Sequence, residues 1–184
     1  MAKDKKARIS TAVKIAIAAV AVIALVAISN FTNQQMIAQR EDQNHLPQNE
    51  NNVAPVDNTK SGTTEYLEIS AISNFVKNVA DVYGRANDGV VENDTAKVTD
   101  AWSDMKKLKT DIDGVISVPK NAEEAHKALT DSANEYFSAV DCLLASNTYA
   151  NAGNLDEATE KINESIEHSG AAMTSYQNAM ILLK

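Results

Sequence analysis

Glu123-Glu124-Ala125-His126 places a carboxylate and an imidazole at the spacing of two metal ligands on one helix. In bundle-borne di-iron centres, two such Glu-x-x-His motifs combine with single glutamates from two further helices. The second motif is missing here. Glu164 and His168 are four residues apart, and His168 falls beside the apolar stripe of its segment rather than on it. His126 adjoins an expected helix start and is read as solvent-exposed, and His45 lies in a polar stretch with no assigned role. The sequence contains no Gly-x-Ser-x-Gly, His-Glu-x-x-His or phosphate-loop motif. It has no Cys-x-x-Cys-His for covalent haem. The single cysteine, Cys142, has no intrachain disulfide partner. It reads as a small apolar residue on a helix face, the alternatives being an intermolecular disulfide or a reactive thiol. No catalytic, cofactor-binding or metal-binding residue is assigned, and the expectation is a protein that is not an enzyme.

The elements that would position these groups are helices. The first is expected over about 64–86, with Leu67, Ile72, Phe75, Val76, Val79, Val82, Tyr83 and Ala86 on one face. Thr63 or Thr64 would cap it, and Asn87-Asp88-Gly89 would end it. The second is expected over about 94–113, capped by Asn93 or Asp94 and closed by Gly114. Its stripe holds Val98, Ala101, Met105, Leu108, Ile112 and the only tryptophan, Trp102, read as core. Pro119 keeps the loop 114–120 from becoming helix.

Asn121 with Glu124 reads as a capping box for a long third helix, about 122–150, lined by Ala125, Leu129, Tyr136, Val140 and Leu143. Asn151-Ala152-Gly153-Asn154 is a tight turn, with Asn154 and Glu157 as a second capping box. The fourth helix carries Leu155, Ala158, Ile162, Ile166, Ser169, Met173, Tyr176, Met180 and Leu183, and its interior Gly170 is expected to admit a neighbouring helix. Short loops make neighbours antiparallel. The expected fold of residues 63–184 is therefore an up-down four-helix bundle. The heptad-like stripes of the last two helices would face each other within it rather than pair between chains.

Tyr149, Gly153, Ala158 and Ile162 stand at the spacing of a recognised helical hairpin, so the segment 145–166 resembles one tetratricopeptide unit. It departs from that family in lacking the opening Trp, the closing Pro and a second copy, whereas arrays need about three repeats. The demands of a tight helical hairpin account for the match.

Upstream, Ala12–Ile28 is a run of 17 residues with one charge, Lys14. As a helix it spans roughly 25 Å, against a hydrocarbon core of about 30 Å. The flank with Lys3, Lys5, Lys6 and Arg8 would stay in the cytoplasm. Residues 12–29 are thus expected to form a transmembrane signal-anchor helix, or alternatively a cleaved signal peptide. The resulting plan is a basic cytoplasmic tail (1–11), the membrane segment (12–29), a flexible polar linker (30–62) with Pro47 and Pro55, and an extracytoplasmic bundle (63–184).

The net charge of −8 is uneven. Residues 30–184 hold twelve basic and twenty-four acidic residues, which argues against a nucleic-acid partner. The Asn-x-Ser/Thr matches at Asn30, Asn93 and Asn163 are what chance gives in an Asn-rich chain. The expected function is non-enzymatic binding of a protein or cell-envelope component at a single-pass membrane. The alternatives are a small-molecule sensing bundle and, if the signal is removed, a secreted soluble effector.

Overall fold

The structure is a computed structural model that describes residues 58–184, with side chains from Thr63 onward. The expected tail, the membrane segment and nearly all of the linker lie outside it. The described residues are entirely helical. They form α1 (Asn58–Glu68), α2 (Ser70–Glu92), α3 (Thr95–Asp113), a 3₁₀ turn (Lys120–Ala122), α4 (Glu123–Ala152) and α5 (Leu155–Leu182). Among them no helix is long and apolar enough to cross a membrane.

The first expected helix begins and ends elsewhere. The chain is already helical at Asn58, turns at Ile69 (φ −57°, ψ 122°), and resumes as α2. Thr63 and Thr64 therefore lie inside α1 and cap nothing. The break sets α1 against the start of α2 and the 3₁₀ turn, and there Tyr66 is fully buried. At its other end α2 runs through Asn87-Asp88-Gly89 to Glu92. Asn87 stays in register by donating from Nδ2 to the Tyr83 carbonyl (2.9 Å). The true terminator is Asn93, in the left-handed region at φ 57°, with its N–H on the Val90 carbonyl. Asparagine tolerates that conformation better than most residues.

The other caps agree in place more than in chemistry. Asp94 caps α3, its side chain accepting from Lys97 N–H at 3.1 Å. Gly114 ends α3 in the right-handed conformation. Asn121 falls inside the 3₁₀ turn, which leaves Ala122 as the residue before α4. Asn154 precedes α5 without a side-chain capping bond, and Gly153 supplies the left-handed turn at φ 85°.

Consecutive long helices run antiparallel. Arg85 on α2 pairs with Asp104 on α3 at 2.7 Å. Trp102 Nε1 on α3 donates to Asp141 on α4 at 2.8 Å. Ser146 on α4 donates to the Ala158 carbonyl of α5 at 2.9 Å. The core is formed by Ile72, Phe75, Met105, Ile112, Leu129, Val140 and Leu143, all essentially inaccessible to solvent. Burying a side chain of this size contributes roughly 1.5–3 kcal/mol.

α4 is the shared wall, packing against α2, α3 and α5. By contrast α5 makes its extended contact with α4. The bundle is consequently an α2–α3–α4 core with α5 laid on the outer side of α4, rather than four helices each gripping two neighbours.

Candidate functional site

The α4–α5 hairpin holds most of the groups singled out in the sequence. Its seam is made of small side chains. Ala128, Ser132, Ala139 and Ser146 on α4 face Ala158, Ser165, Ala172 and Ala179 on α5, and all eight are buried. After Ala128 these positions recur at steps of seven on both helices, so the heptad stripes meet within one chain. Small residues let the backbones approach until Ser146 reaches a main-chain carbonyl across the seam. Two hydroxyls in the seam, on Ser132 and Ser165, have no hydrogen-bond partner.

The two flanks of the seam differ. One is polar: Glu135 on α4 meets His168 Nδ1 on α5 at 2.7 Å, and Cys142 Sγ lies 3.6 Å from Glu164, which also pairs with Lys161. These side chains are only partly buried. His168 and Glu164 are thus engaged by different partners, and no three His, Cys, Asp or Glu side chains among the described residues converge as a metal site. Cys142 is a free, half-buried thiol. Burial first, and then the Glu164 carboxylate, push its pKa up to about 11. At neutral pH the group is a thiol, whereas nucleophilic attack needs the thiolate.

The other flank of α5 is apolar. Ile162 and Met180 are buried at its inner edge, while Leu155, Ile166 and Met173 remain half-exposed. Ile166 and Met173 lie roughly 80–100° around the helix from Ser165, which faces α4, at the usual 100° per residue. On this helix a row of large aliphatic side chains thus stands beside the seam. The sequence puts them in a single stripe with Ala158 and Leu183. The structure divides that stripe into a buried row and a half-exposed one.

His126 departs from expectation. It is half-buried, not solvated, and its Nδ1 shares a hydrogen bond with the Tyr66 hydroxyl at 3.0 Å, with the rings edge-on. Burial lowers the pKa of His126, Asp113 opposing the shift, and burial raises that of Tyr66. The histidine belongs to the dock of α1. The motif's carboxylate, Glu123, is exposed, so the Glu-x-x-His spacing assembles nothing.

Trp102 is half-buried rather than core. It packs against Phe137, donates to Asp141 and carries Lys106 over its ring at 5.0 Å, so both ring and N–H are occupied by the protein itself. Tyr83 and Tyr136 are in ring contact at 5.7 Å. Burial and then the neighbouring Tyr83 and Tyr176 hydroxyls disfavour ionisation of Tyr136. Asn93 and Asn163 are exposed. Gly170 is exposed with nothing within 4 Å of where its Cβ would be, so it admits no neighbouring helix. Asn30 and His45 lie outside the described residues.

Sequence reasoning overlooked Ile116, which is 97% exposed in the α3–α4 loop, and the docking role of Tyr66. The apolar run Val115-Ile116-Ser117-Val118 before Pro119 is the signal that marked the former. No protein-family model matches this chain, and neither a curated protein nor a solved structure matches it significantly.

Proposed function

We propose that this protein is a membrane-anchored, extracytoplasmic helical bundle that binds a protein partner or a component of the cell envelope without catalysing a reaction. The observation that carries the binding assignment is the half-exposed aliphatic flank of α5, a helix whose extended contact is with α4. Apolar patches beside polar surroundings mark interaction sites. A helix flank with aliphatic side chains at Leu155, Ile166 and Met173 suits an apolar helix or groove on a partner. Anchoring is supported by Ala12–Ile28 with its basic flank, which directs the N-terminus to the cytoplasm. The thiol character of Cys142 and the separate engagement of His126 and His168 support the non-enzymatic reading.

The test places a photo-cross-linking amino acid at Ile166, and at the exposed Glu160 as control, in the full chain in its native cell. Cross-linking to one specific protein or polymer from position 166 but not from 160 is the expected result. Equal, diffuse labelling from both positions overturns the binding assignment. The intact mass of the recovered chain decides anchoring independently. Retention of residues 12–29 in the membrane fraction supports it, and a soluble chain starting near Asn30 replaces it with the secreted alternative.

A further inference from the structure

Among the described residues, three of the four exposed large apolar side chains stand at one pole of the bundle. They are Ile116 at 97%, Ile181 at 62% and Leu182 at 39%, whereas the fourth, Tyr149, lies at the opposite pole. The topology fixes this grouping: α3 ends, the 114–119 loop turns, α4 begins and α5 ends at the same pole. The exposure of Ile116 is imposed by its surroundings. Val115 and Val118 on either side pack against the core, and Pro119 stiffens the exit, so the intervening isoleucine is held outward.

The chain also enters at this pole. α1, where the described chain begins, packs against the 3₁₀ turn and is pinned by Tyr66 to His126, on the side that presents these side chains.

Charge narrows the surface that fits. Asp113 pairs with Lys109, and exposed Glu123 and Glu124 stand among exposed Lys120, Lys127 and Lys184, so the rim is mixed, while residues 30–184 as a whole carry twenty-four acidic against twelve basic residues. An anionic lipid surface would repel so acidic a chain, while a zwitterionic one would not.

We propose that this pole docks on a zwitterionic lipid surface, with Ile116, Ile181 and Leu182 entering the headgroup boundary. The inference rests on the reading of residues 12–29 as a membrane segment. Shallow insertion of a few aliphatic side chains is weak alone, but a tether keeps the pole at high local concentration beside the bilayer.

The experiment uses the full chain carrying Cys142→Ser, reconstituted in phosphatidylcholine vesicles. Single cysteines are introduced by Ile116→Cys, Ile181→Cys or Tyr149→Cys and labelled with an environment-sensitive fluorophore, with a quencher carried on lipid at headgroup depth. Quenching several-fold stronger at positions 116 and 181 than at 149, and reduced when phosphatidylglycerol is added, is the expected result. Equal, weak quenching at all three positions, in chains that float with the vesicles, overturns docking while leaving anchoring intact. Chains that do not float overturn the anchor and the docking with it. A blue-shifted label at position 116 that lipid quenchers do not reach shows burial against protein, and also overturns the proposal.

Discussion

Gly89 of α2 and Val98 of α3 are in direct apposition: a Cβ at position 89 would stand 2.6 Å from Val98 Cγ2 and 3.0 Å from the Val98 nitrogen. The close crossing of α2 and α3 near their connecting turn depends on the missing side chain. Gly89→Ala is therefore expected to destabilise the fold by about 1–3 kcal/mol through overpacking. Gly170→Ala, on an exposed helical site with free space, is expected to stabilise it by about 0.5–1 kcal/mol. Denaturant midpoints of the two variants, shifting in opposite directions, check both statements.

The bond between Tyr66 and His126 gives the dock of α1 a dependence on pH. Burial holds the folded-state pKa of His126 below its ordinary value, so the neutral ring contributes stability that is fully present above the unfolded pKa. That stability is lost as pH falls through the unfolded value, about 6.5, and on toward the lower folded one. The melting temperature of His126→Gln is expected to vary less than that of the parent across this window. At neutral pH, His126→Ala should cost about 1–3 kcal/mol, because it removes the partner of a buried hydroxyl.

The unpartnered hydroxyls of Ser132 and Ser165 stand in a seam built of alanines. A buried polar group without a partner costs about 1–3 kcal/mol. Ser132→Ala and Ser165→Ala should each raise stability by about 1 kcal/mol or more, read from the same midpoints. Unchanged or lowered values would show that these hydroxyls are satisfied in solution.

Charge placed on the buried row and on the half-exposed row should have different consequences. Leu143, 2% exposed, cannot accommodate a carboxylate, so Leu143→Asp is expected to cost more than about 3 kcal/mol and abolish the cooperative helical melt seen by circular dichroism. Met173→Asp, half-exposed on the same flank, can turn its carboxylate to water. It should retain the helical spectrum while weakening the cross-link formed from position 166.

The Cys142 thiol, raised to about 11 by burial and by Glu164, should react slowly with disulfide reagents at neutral pH and faster as the solution becomes alkaline. Glu164→Gln removes the negative charge at 3.6 Å and should shift that profile to lower pH. An unchanged profile would leave burial as the only cause.

The helices and most of the core were legible in the sequence because their apolar residues recur with the helical period over many turns. The breaks were harder, for physical reasons. Asn87-Asp88-Gly89 has the composition of a stop, yet a helix can absorb it when asparagine bonds back to a carbonyl and glycine accommodates a neighbour. Ile69 carries no breaker signature; its turn follows from the burial of Tyr66 beneath α1. His126 looked solvated because capping chemistry describes its own helix, while its partner arrives from sixty residues away. The half-exposed flank of α5 was concealed for a related reason. Periodicity reports that a face is apolar, but whether a second helix covers it depends on how the helices are placed around α4. The apolar flank was therefore readable as a stripe but not as an open one.

The position of α1 has a mechanical consequence. A load entering through the residues before Asn58 meets this eleven-residue helix before it reaches the bundle. Such a pull would act on the Tyr66 contact and the short interface with the 3₁₀ turn before it reached the long seams among α2, α3 and α4.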